Sequence, residues 1–124
     1  MIMRGIRGAT TIETDAKENV LSATQELLEK IFASNPDLKA EDIASAIFTV
    51  TRDITSVFPA LAARQMGWDQ VPMMCAQEIP VPGSLPLCIR VLIHWNTNKS
   101  QDAIRNIYLH EAKKLRPDIN SSSN

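Results

Sequence analysis

An apolar run with an arginine at its centre, residues 87–93 (LCIRVLI), decides how this chain must fold. A short run of branched and aliphatic side chains predicts a buried β-strand. Arg90 keeps its charge at any physiological pH, and a guanidinium without a partner is very costly in apolar surroundings. The run therefore predicts a central strand and an anionic partner for its arginine.

The N-terminal residues 2–12 (IMRGIRGATTI) form a second strand-like pattern that carries an arginine. Their alternation places Arg7 on the same face as Gly5 and Ala9. Such small neighbours leave room for a ligand beside the guanidinium, whereas a glycine-softened edge strand would simply direct Arg7 to water. Spacing alone favours neither interpretation.

Two helices are predicted between the strands. The first begins at a capping box formed by Asp15 and Glu18, and its apolar residues recur at helical spacing as far as Asn35. The second covers residues 58–67, where Arg64 lies in the last turn. A cation near a helix C-terminus is favourable in itself, so this position alone indicates no function for Arg64.

Two further strands and one helix complete the predicted fold. Residues 43–50 and 71–76 are rich in apolar and branched side chains, and a loop at 79–86 with three prolines precedes the central strand. Ser100 predicts the start of a C-terminal helix whose apolar face includes Tyr108. A tyrosine on an inner face usually belongs to the core, with its hydroxyl satisfied locally.

Length and composition indicate one domain without a nucleic-acid or membrane partner. The chain has 124 residues and a formal net charge of −1, and it contains no basic block. No apolar stretch approaches the roughly twenty residues of a membrane span, and no signal peptide is evident, so we expect a cytoplasmic protein. The domain is expected to cover residues 1–118, followed by a loose tail at 119–124.

The usual catalytic motifs are missing from the sequence. His94 and His110 have no recognisable nucleophile or metal partner, and Cys75 and Cys88 form neither a zinc motif nor a secreted disulfide framework. Glu78 lies near Cys75 with the opposite parity, so a shared site would need a bend between them. Two inward arginines and one carboxylate indicate a site that binds and polarises a small anion.

Six blocks of the sequence occur in one order over nearly the whole chain. They are residues 4–11 (RGIRGATT), 57–60 (VFPA) with Arg64, 75–78 (CAQE), 88–91 (CIRV), 107–109 (IYL) and 115–118 (LRPD). At this spacing they closely resemble the AroH-type monofunctional chorismate mutases. The resemblance implies an α+β subunit with a mixed β-sheet packed against helices. Three subunits would form a homotrimeric pseudo-α/β barrel with active sites at the interfaces, without a cofactor or a metal.

The reaction implied by this resemblance is the isomerisation of chorismate to prephenate in the biosynthesis of phenylalanine and tyrosine. It is an intramolecular Claisen rearrangement, in which an ether bond breaks while a carbon-carbon bond forms. No protein nucleophile or proton transfer is required. The enzyme must hold the compact chair-like conformer and stabilise the negative charge that accumulates on the ether oxygen.

The resemblance also implies a role for individual residues. Arg90 would bridge a substrate carboxylate and the ether oxygen, while Arg7 and Tyr108 would hold carboxylate groups. Glu78 and Cys75 would bind the ring hydroxyl. The remaining positions would form the wall and mouth of the pocket: Phe58, Leu115, Met73 and Met74 in the wall, and Arg64 and Arg116 at the mouth.

One residue near the expected pocket entrance departs from the family pattern, and one segment near it is a candidate lid. Leu61 departs from the family, because relatives often have a lysine there, and its absence predicts weaker electrostatic steering of the substrate. The C-terminal tail, with Arg116 at its start, is a candidate lid over the bound ligand.

Two other functions remain as alternatives. An imine deaminase of the RidA kind is also a small trimer whose interfacial sites contain an arginine for a carboxylate, although its characteristic motifs are not evident here. A trimeric module could also bind an aromatic-pathway metabolite without transforming it. Chorismate consumption would separate both alternatives from a mutase.

Overall fold

A computed structural model describes residues 2–115 and contains a five-stranded mixed sheet. The strands are β1 (Met3–Thr11), β2 (Ile43–Val50), β3 (Met73–Gln77), β4 (Cys88–Asn96) and β5 (Ile107–Tyr108). Their order in the sheet is β3-β2-β4-β1-β5. β4 is central and antiparallel to both β1 and β2, whereas β3 runs parallel to β2 and β5 parallel to β1.

Side-chain alternation gives the sheet two different faces. Ile6 lies opposite Ile93, and both are fully buried on the face that the helices cover. Arg7 lies opposite Leu92 on the other face, where both side chains are exposed. The run at residues 87–93 therefore contributes to a central strand, as its apolar residues predict. Its arginine, Arg90, lies on the face that the helices leave uncovered.

Two helices cover the apolar face. The helix α1 (Lys17–Ser34) buries Leu27, Leu28 and Ile31 against the sheet, and α2 (Ala60–Gln65) contacts α1 and β3. Gly8 allows α1 to lie close to β1, because a Cβ atom at this position would lie 2.8 Å from Ile31 Cδ1. The two predicted helices are therefore present, and both are shorter than their predicted ranges.

The capping box predicted at the start of α1 is wrong. The residue at the N-cap is Ala16, and no side chain caps the helix. The Asp15 carboxylate instead accepts hydrogen bonds from the backbone N–H of Thr55 at 2.9 Å and of Ser56 at 3.3 Å. Hydrogen bonds from Ser56 and Thr55 hold the pKa of Asp15 below its usual value. Asp15 therefore ties the start of α1 to the loop before α2.

The helix predicted from Ser100 through Tyr108 is also wrong. The chain forms a 3-10 helix only at Gln101–Ala103 and then enters β5. The backbone N–H of Leu109 donates to the carbonyl of Ala9 at 2.9 Å, so pairing with β1 replaces the helical hydrogen bonds. Another 3-10 helix, His110–Lys114, follows and packs against β1, and a further one lies at Ala40–Asp42 before β2.

Several predictions fall on the ends of the chain. Arg116, the domain end at 118, and the tail at 119–124 with its lid role lie outside the described residues. Within residues 2–115, none of the helices combines the length and the apolar character needed to cross a membrane.

Candidate active site

A pocket of about 440 Å³ opens on the sheet face that the helices leave uncovered. Strand pairing assembles it, because Arg90 lies opposite Ala9 of β1 and Thr49 of β2, and Tyr108 of β5 lies beside Ala9. We call it the arginine pocket, and its lining consists of Arg7, Gly8, Ala9, Ile47, Thr49, Arg90, Val91, Leu92 and Tyr108. Three residues predicted from the sequence therefore line one pocket.

Two buried donors of this pocket make no hydrogen bond within residues 2–115. They are Nε of Arg90 and the hydroxyl of Tyr108. A buried polar atom without a partner costs free energy, and native structures rarely leave one unexplained. Tyr108 is 4% exposed, so bulk water does not easily satisfy its hydroxyl. A ligand with oxygen acceptors would supply the missing partners.

Glu78 is the acidic partner of Arg90. Its Oε2 lies 3.3 Å from Arg90 Nε, which makes an ion pair without the geometry of a hydrogen bond. The hydroxyl of Thr49 donates to the same carboxylate, and the Glu78 backbone N–H donates to Val50 at 2.8 Å. Glu78 is therefore fixed beside Arg90 while the arginine keeps donor capacity for a ligand.

The second arginine of the pocket is exposed. The side chain of Arg7 makes no hydrogen bond or ion pair within the described part of the chain. The pocket lining carries two positive charges, Arg7 and Arg90, and Glu78, which pairs with Arg90 from outside the lining, offsets one of them. A site of this composition attracts small organic anions, and dianions more strongly.

A thiol lies next to these charges and remains neutral. Cys88 is fully buried at the start of β4, and burial raises the pKa of its thiol to about 11, although the charge of Arg90 opposes the increase. At neutral pH Cys88 therefore adds no negative charge beside Arg90, and its thiol is a poor nucleophile.

A second pocket, of about 490 Å³, lies at the β2–β3 side of the molecule. We call it the Phe58 pocket, and its lining consists of Val50, Ile54, Thr55, Ser56, Val57, Phe58, Pro59, Cys75, Ala76 and Gln77. Phe58 is 72% exposed, which is unusual for a large aromatic side chain. Cys75 pairs with the fully buried Phe48, so it belongs to the helix-covered face, whereas Glu78 contacts Thr49 and Arg90. Within one chain, the structure does not bring Cys75 and Glu78 together.

The other predicted pocket residues among 2–115 do not line the arginine pocket, although Leu115 packs against two residues that do. Met73 packs against the core, whereas Met74 is exposed on the open face. Leu115 packs against a cluster formed by Ala9, Tyr108 and Ala112. Arg64 is exposed in the last turn of α2 and does not line the arginine pocket.

Sequence reasoning missed Thr49, whose hydroxyl holds Glu78 beside Arg90. The residue carries no local signal, since threonine is common in strands for its branched side chain alone. Only the pairing of β2 with β4 places Thr49 opposite Arg90. Its role depends on long-range register, which one sequence does not reveal.

Fold and site together define an α+β protein with a cationic pocket for a small organic anion. The family model for chorismate mutase type I matches residues 3–119. Chorismate mutase AroH of Thermus thermophilus is 54% identical over 121 residues, covering 98% of this chain and 99% of the relative. Chorismate mutase AroH of Bacillus subtilis is 46% identical over 125 residues, covering 100% of this chain and 98% of the relative.

A solved structure agrees with these sequence matches. A chorismate mutase from Clostridium thermocellum has a TM-score of 0.87 and 48% identity, covering 90% of this chain and 98% of the solved chain. This chain therefore belongs to the type I chorismate mutases, and the resemblance seen in its sequence is confirmed.

Proposed function

We propose that this chain isomerises chorismate to prephenate in the arginine pocket. The observation that carries the proposal is the buried Tyr108 hydroxyl, which lines the arginine pocket without a hydrogen-bond acceptor in residues 2–115, beside Arg90, whose Nε is ion-paired with Glu78 at 3.3 Å but makes no hydrogen bond. Chorismate is a dianion with carboxylate and ether oxygens, so it supplies an acceptor for the Tyr108 hydroxyl and further acceptors for the guanidinium of Arg90. The exposed Arg7 completes the pocket with a second positive charge.

The rearrangement needs no nucleophile or proton transfer from the protein. Catalysis then depends on holding the reactive conformer and on donors directed at the developing charge. Arg90 carries out the second task, because its planar fork donates to a carboxylate and the ether oxygen together and cannot lose its charge. Glu78 keeps this fork in place and, as a second role, binds the ring hydroxyl.

The Phe58 pocket supports a site shared between subunits. Cys75 lies on the helix-covered face, away from Arg90 in one chain, and Phe58 lines a different pocket from Arg90. Apolar side chains are exposed on the open sheet face, among them Met3, Ile47, Met74 and Leu92. In the proposed homotrimer, three copies cover these faces. The Phe58 pocket of one copy then completes the arginine pocket of the next.

A mixing experiment tests the shared site. Assayed at chorismate concentrations below the wild-type KM, Arg90→Ala and Phe58→Asp should each be nearly inactive, the second because a carboxylate repels the dianion. If the two residues act from different chains, equimolar co-refolding restores about one quarter of the wild-type sites by random assortment. Activity no higher than that of the separate variants would place both residues in one chain and contradict the proposal.

The overall function is tested by incubating purified protein with chorismate and no added cofactor. The absorbance of chorismate should fall while prephenate accumulates in equal amount. Calorimetry tests the alternative of a binding module. A protein that only binds chorismate shows a stable isotherm and leaves the ligand intact. Turnover of imino acids with indifference to chorismate would instead indicate a deaminase.

We also propose that the protein works in the cytoplasm. Both cysteines are free thiols, Cys75 partly buried and Cys88 buried. Free cysteines are typical of proteins kept in a reducing compartment, which supports this location.

A further inference from the structure

The strand that carries Arg90 begins directly after a residue in the left-handed region. Leu87 has φ of 50°, and within residues 2–115 only His110 shares this property among non-glycine residues. A leucine in this region is strained, because its Cβ atom crowds the backbone. Strain of this kind persists only where the surroundings enforce it, and it is concentrated at functional sites.

The loop between β2 and α2 enforces this conformation. The Leu87 N–H donates to both carboxylate oxygens of Asp53, at 3.2 and 3.0 Å. On the other side, the Leu87 carbonyl accepts from the N–H of Ile12 at 3.0 Å. A charged acceptor makes the stronger type of hydrogen bond, so Asp53 is the main restraint on the Leu87 N–H.

The first residue of β4 is held by the same loop. The Cys88 N–H donates to the Thr51 hydroxyl at 3.0 Å, and its carbonyl accepts from the Thr51 N–H at 3.1 Å. The Thr51 hydroxyl in turn donates to Asp53. Asp53 is therefore connected to Leu87, the residue before β4, and to Cys88, its first residue.

This connection bears on the active site because Arg90 is the third residue of β4. Its position against Glu78, Thr49 and Ala9 depends on where β4 begins and in which direction. Loss of a restraint at the start of a strand changes the local twist and the direction of its first side chains, whereas pairing with β1 and β2 fixes the register. Small displacements of a catalytic group cost much activity.

We propose that Asp53 is a positioning residue for Arg90. Its carboxylate holds Leu87 in the left-handed conformation and thereby places the guanidinium of Arg90 beside Glu78. The inference rests on the proposed function, because it concerns the same site, but Asp53 itself is not proposed to touch the substrate.

The first test is Asp53→Ala, measured on folded protein as judged by circular dichroism. We expect kcat to fall about tenfold or more while KM changes less than about threefold, because Arg90 acts mainly in the transition state. Asp69→Ala is the matched control, since Asp69 is an exposed acid in the loop after α2. If Asp53→Ala folds and retains the wild-type kcat, the proposal is overturned.

A rescue experiment separates positioning from a merely structural role. Glycine adopts the left-handed region without strain, so Leu87→Gly should restore Asp53→Ala to within about threefold of the kcat of Leu87→Gly alone. Leu87→Asn provides the same comparison if the glycine variant folds poorly, because asparagine tolerates this region. If the double variant keeps the low kcat of Asp53→Ala, Asp53 does not act through the conformation of Leu87.

Nuclear magnetic resonance gives a readout that does not depend on turnover. The Nε–H resonance of Arg90 should move in Asp53→Ala and return toward the wild-type position in the double variant with Leu87→Gly. An unchanged resonance in Asp53→Ala would show that Asp53 does not position Arg90. If the wild-type protein leaves chorismate intact, the proposed function is refuted. The Arg90 resonance would still show whether Asp53 positions Arg90.

Discussion

The arginine pocket and the Phe58 pocket have similar volumes, about 440 and 490 Å³, but opposite chemistry. The first contains two guanidinium groups and a tyrosine hydroxyl, and the second is lined by Phe58, Cys75 and other uncharged residues. Charged donors distinguish a transition state from a substrate, because charge moves during the reaction, whereas apolar walls bind both about equally. The comparison predicts that damage to the first pocket lowers kcat and damage to the second raises KM.

The largest effect is expected for Arg90. Loss of one preorganised donor directed at a developing oxyanion costs about 3 to 4 kcal/mol, so Arg90→Ala should lower kcat by at least about 100-fold. Arg90→Lys should also be severely impaired, because one ammonium group does not replace the fork. Steady-state kinetics checks both variants, with the exposed Lys30→Ala on α1 as the charge-matched control. Near-normal turnover in either Arg90 variant would defeat the assignment.

A smaller effect is expected for Glu78, and it should appear in KM as well as in kcat. Glu78 has two proposed roles: holding Arg90 acts on kcat, whereas a hydrogen bond to a spectator hydroxyl binds substrate and transition state alike. Glu78→Gln should therefore lower kcat and raise KM at least as much, with kcat/KM falling about tenfold. Thr49→Val, which removes the hydroxyl that holds Glu78, should change the same constants in the same direction by a smaller factor. A defect in kcat alone, with KM unchanged, would show that Glu78 acts in the transition state.

The Phe58 pocket should respond through KM. Phe58→Ala removes part of the apolar wall that contacts both the substrate and the transition state. We therefore expect KM to rise about fivefold while kcat stays within about twofold. Phe58→Leu, which keeps an apolar side chain, is the control and should lie close to wild type. A loss in kcat as large as that of Arg90→Ala would erase the proposed difference between the two pockets.

The smallest effect concerns Leu61, in α2. A lysine there adds a positive charge near the proposed entrance, so Leu61→Lys should raise kcat/KM by about twofold at low ionic strength. Its advantage should disappear as salt screens the charge over distances near 10 Å, about the Debye length at 0.1 M. The test is kcat/KM across a salt series, with Leu61→Met as the uncharged control. Identical salt slopes for the two variants would show that position 61 does not steer the substrate.

The sequence predicts the elements whose pattern is local. Residues 43–50 are predicted as a strand and form β2, because their richness in apolar and branched side chains is a property of the segment itself. Residues 107 and 108 are misassigned, since Ile104, Ile107 and Tyr108 also have helical spacing. Hydrogen bonds to β1 make this segment a strand, and the local spacing of apolar residues gives no information about those bonds.

The same distinction holds for the site. Arg7 and Arg90 are identifiable because a charge within an apolar pattern is a local anomaly. Asp15 looks like a helix cap, but its carboxylate binds Thr55 and Ser56, which lie far along the chain. Asp53 likewise resembles an ordinary loop acid, and its contact with Leu87 exists only in the folded chain. Long-range register and loop contacts are what a single sequence leaves undetermined.

We propose that chorismate reacts against the guanidinium of Arg90, and a crystal structure of the protein with prephenate bound is the decisive test. We expect a carboxylate of prephenate within hydrogen-bond distance of Arg90, with Tyr108 and Arg7 donating to the same ligand. A guanidinium at position 90 that points into bulk solvent, with prephenate bound elsewhere, would show that Arg90 does not hold the reacting ligand.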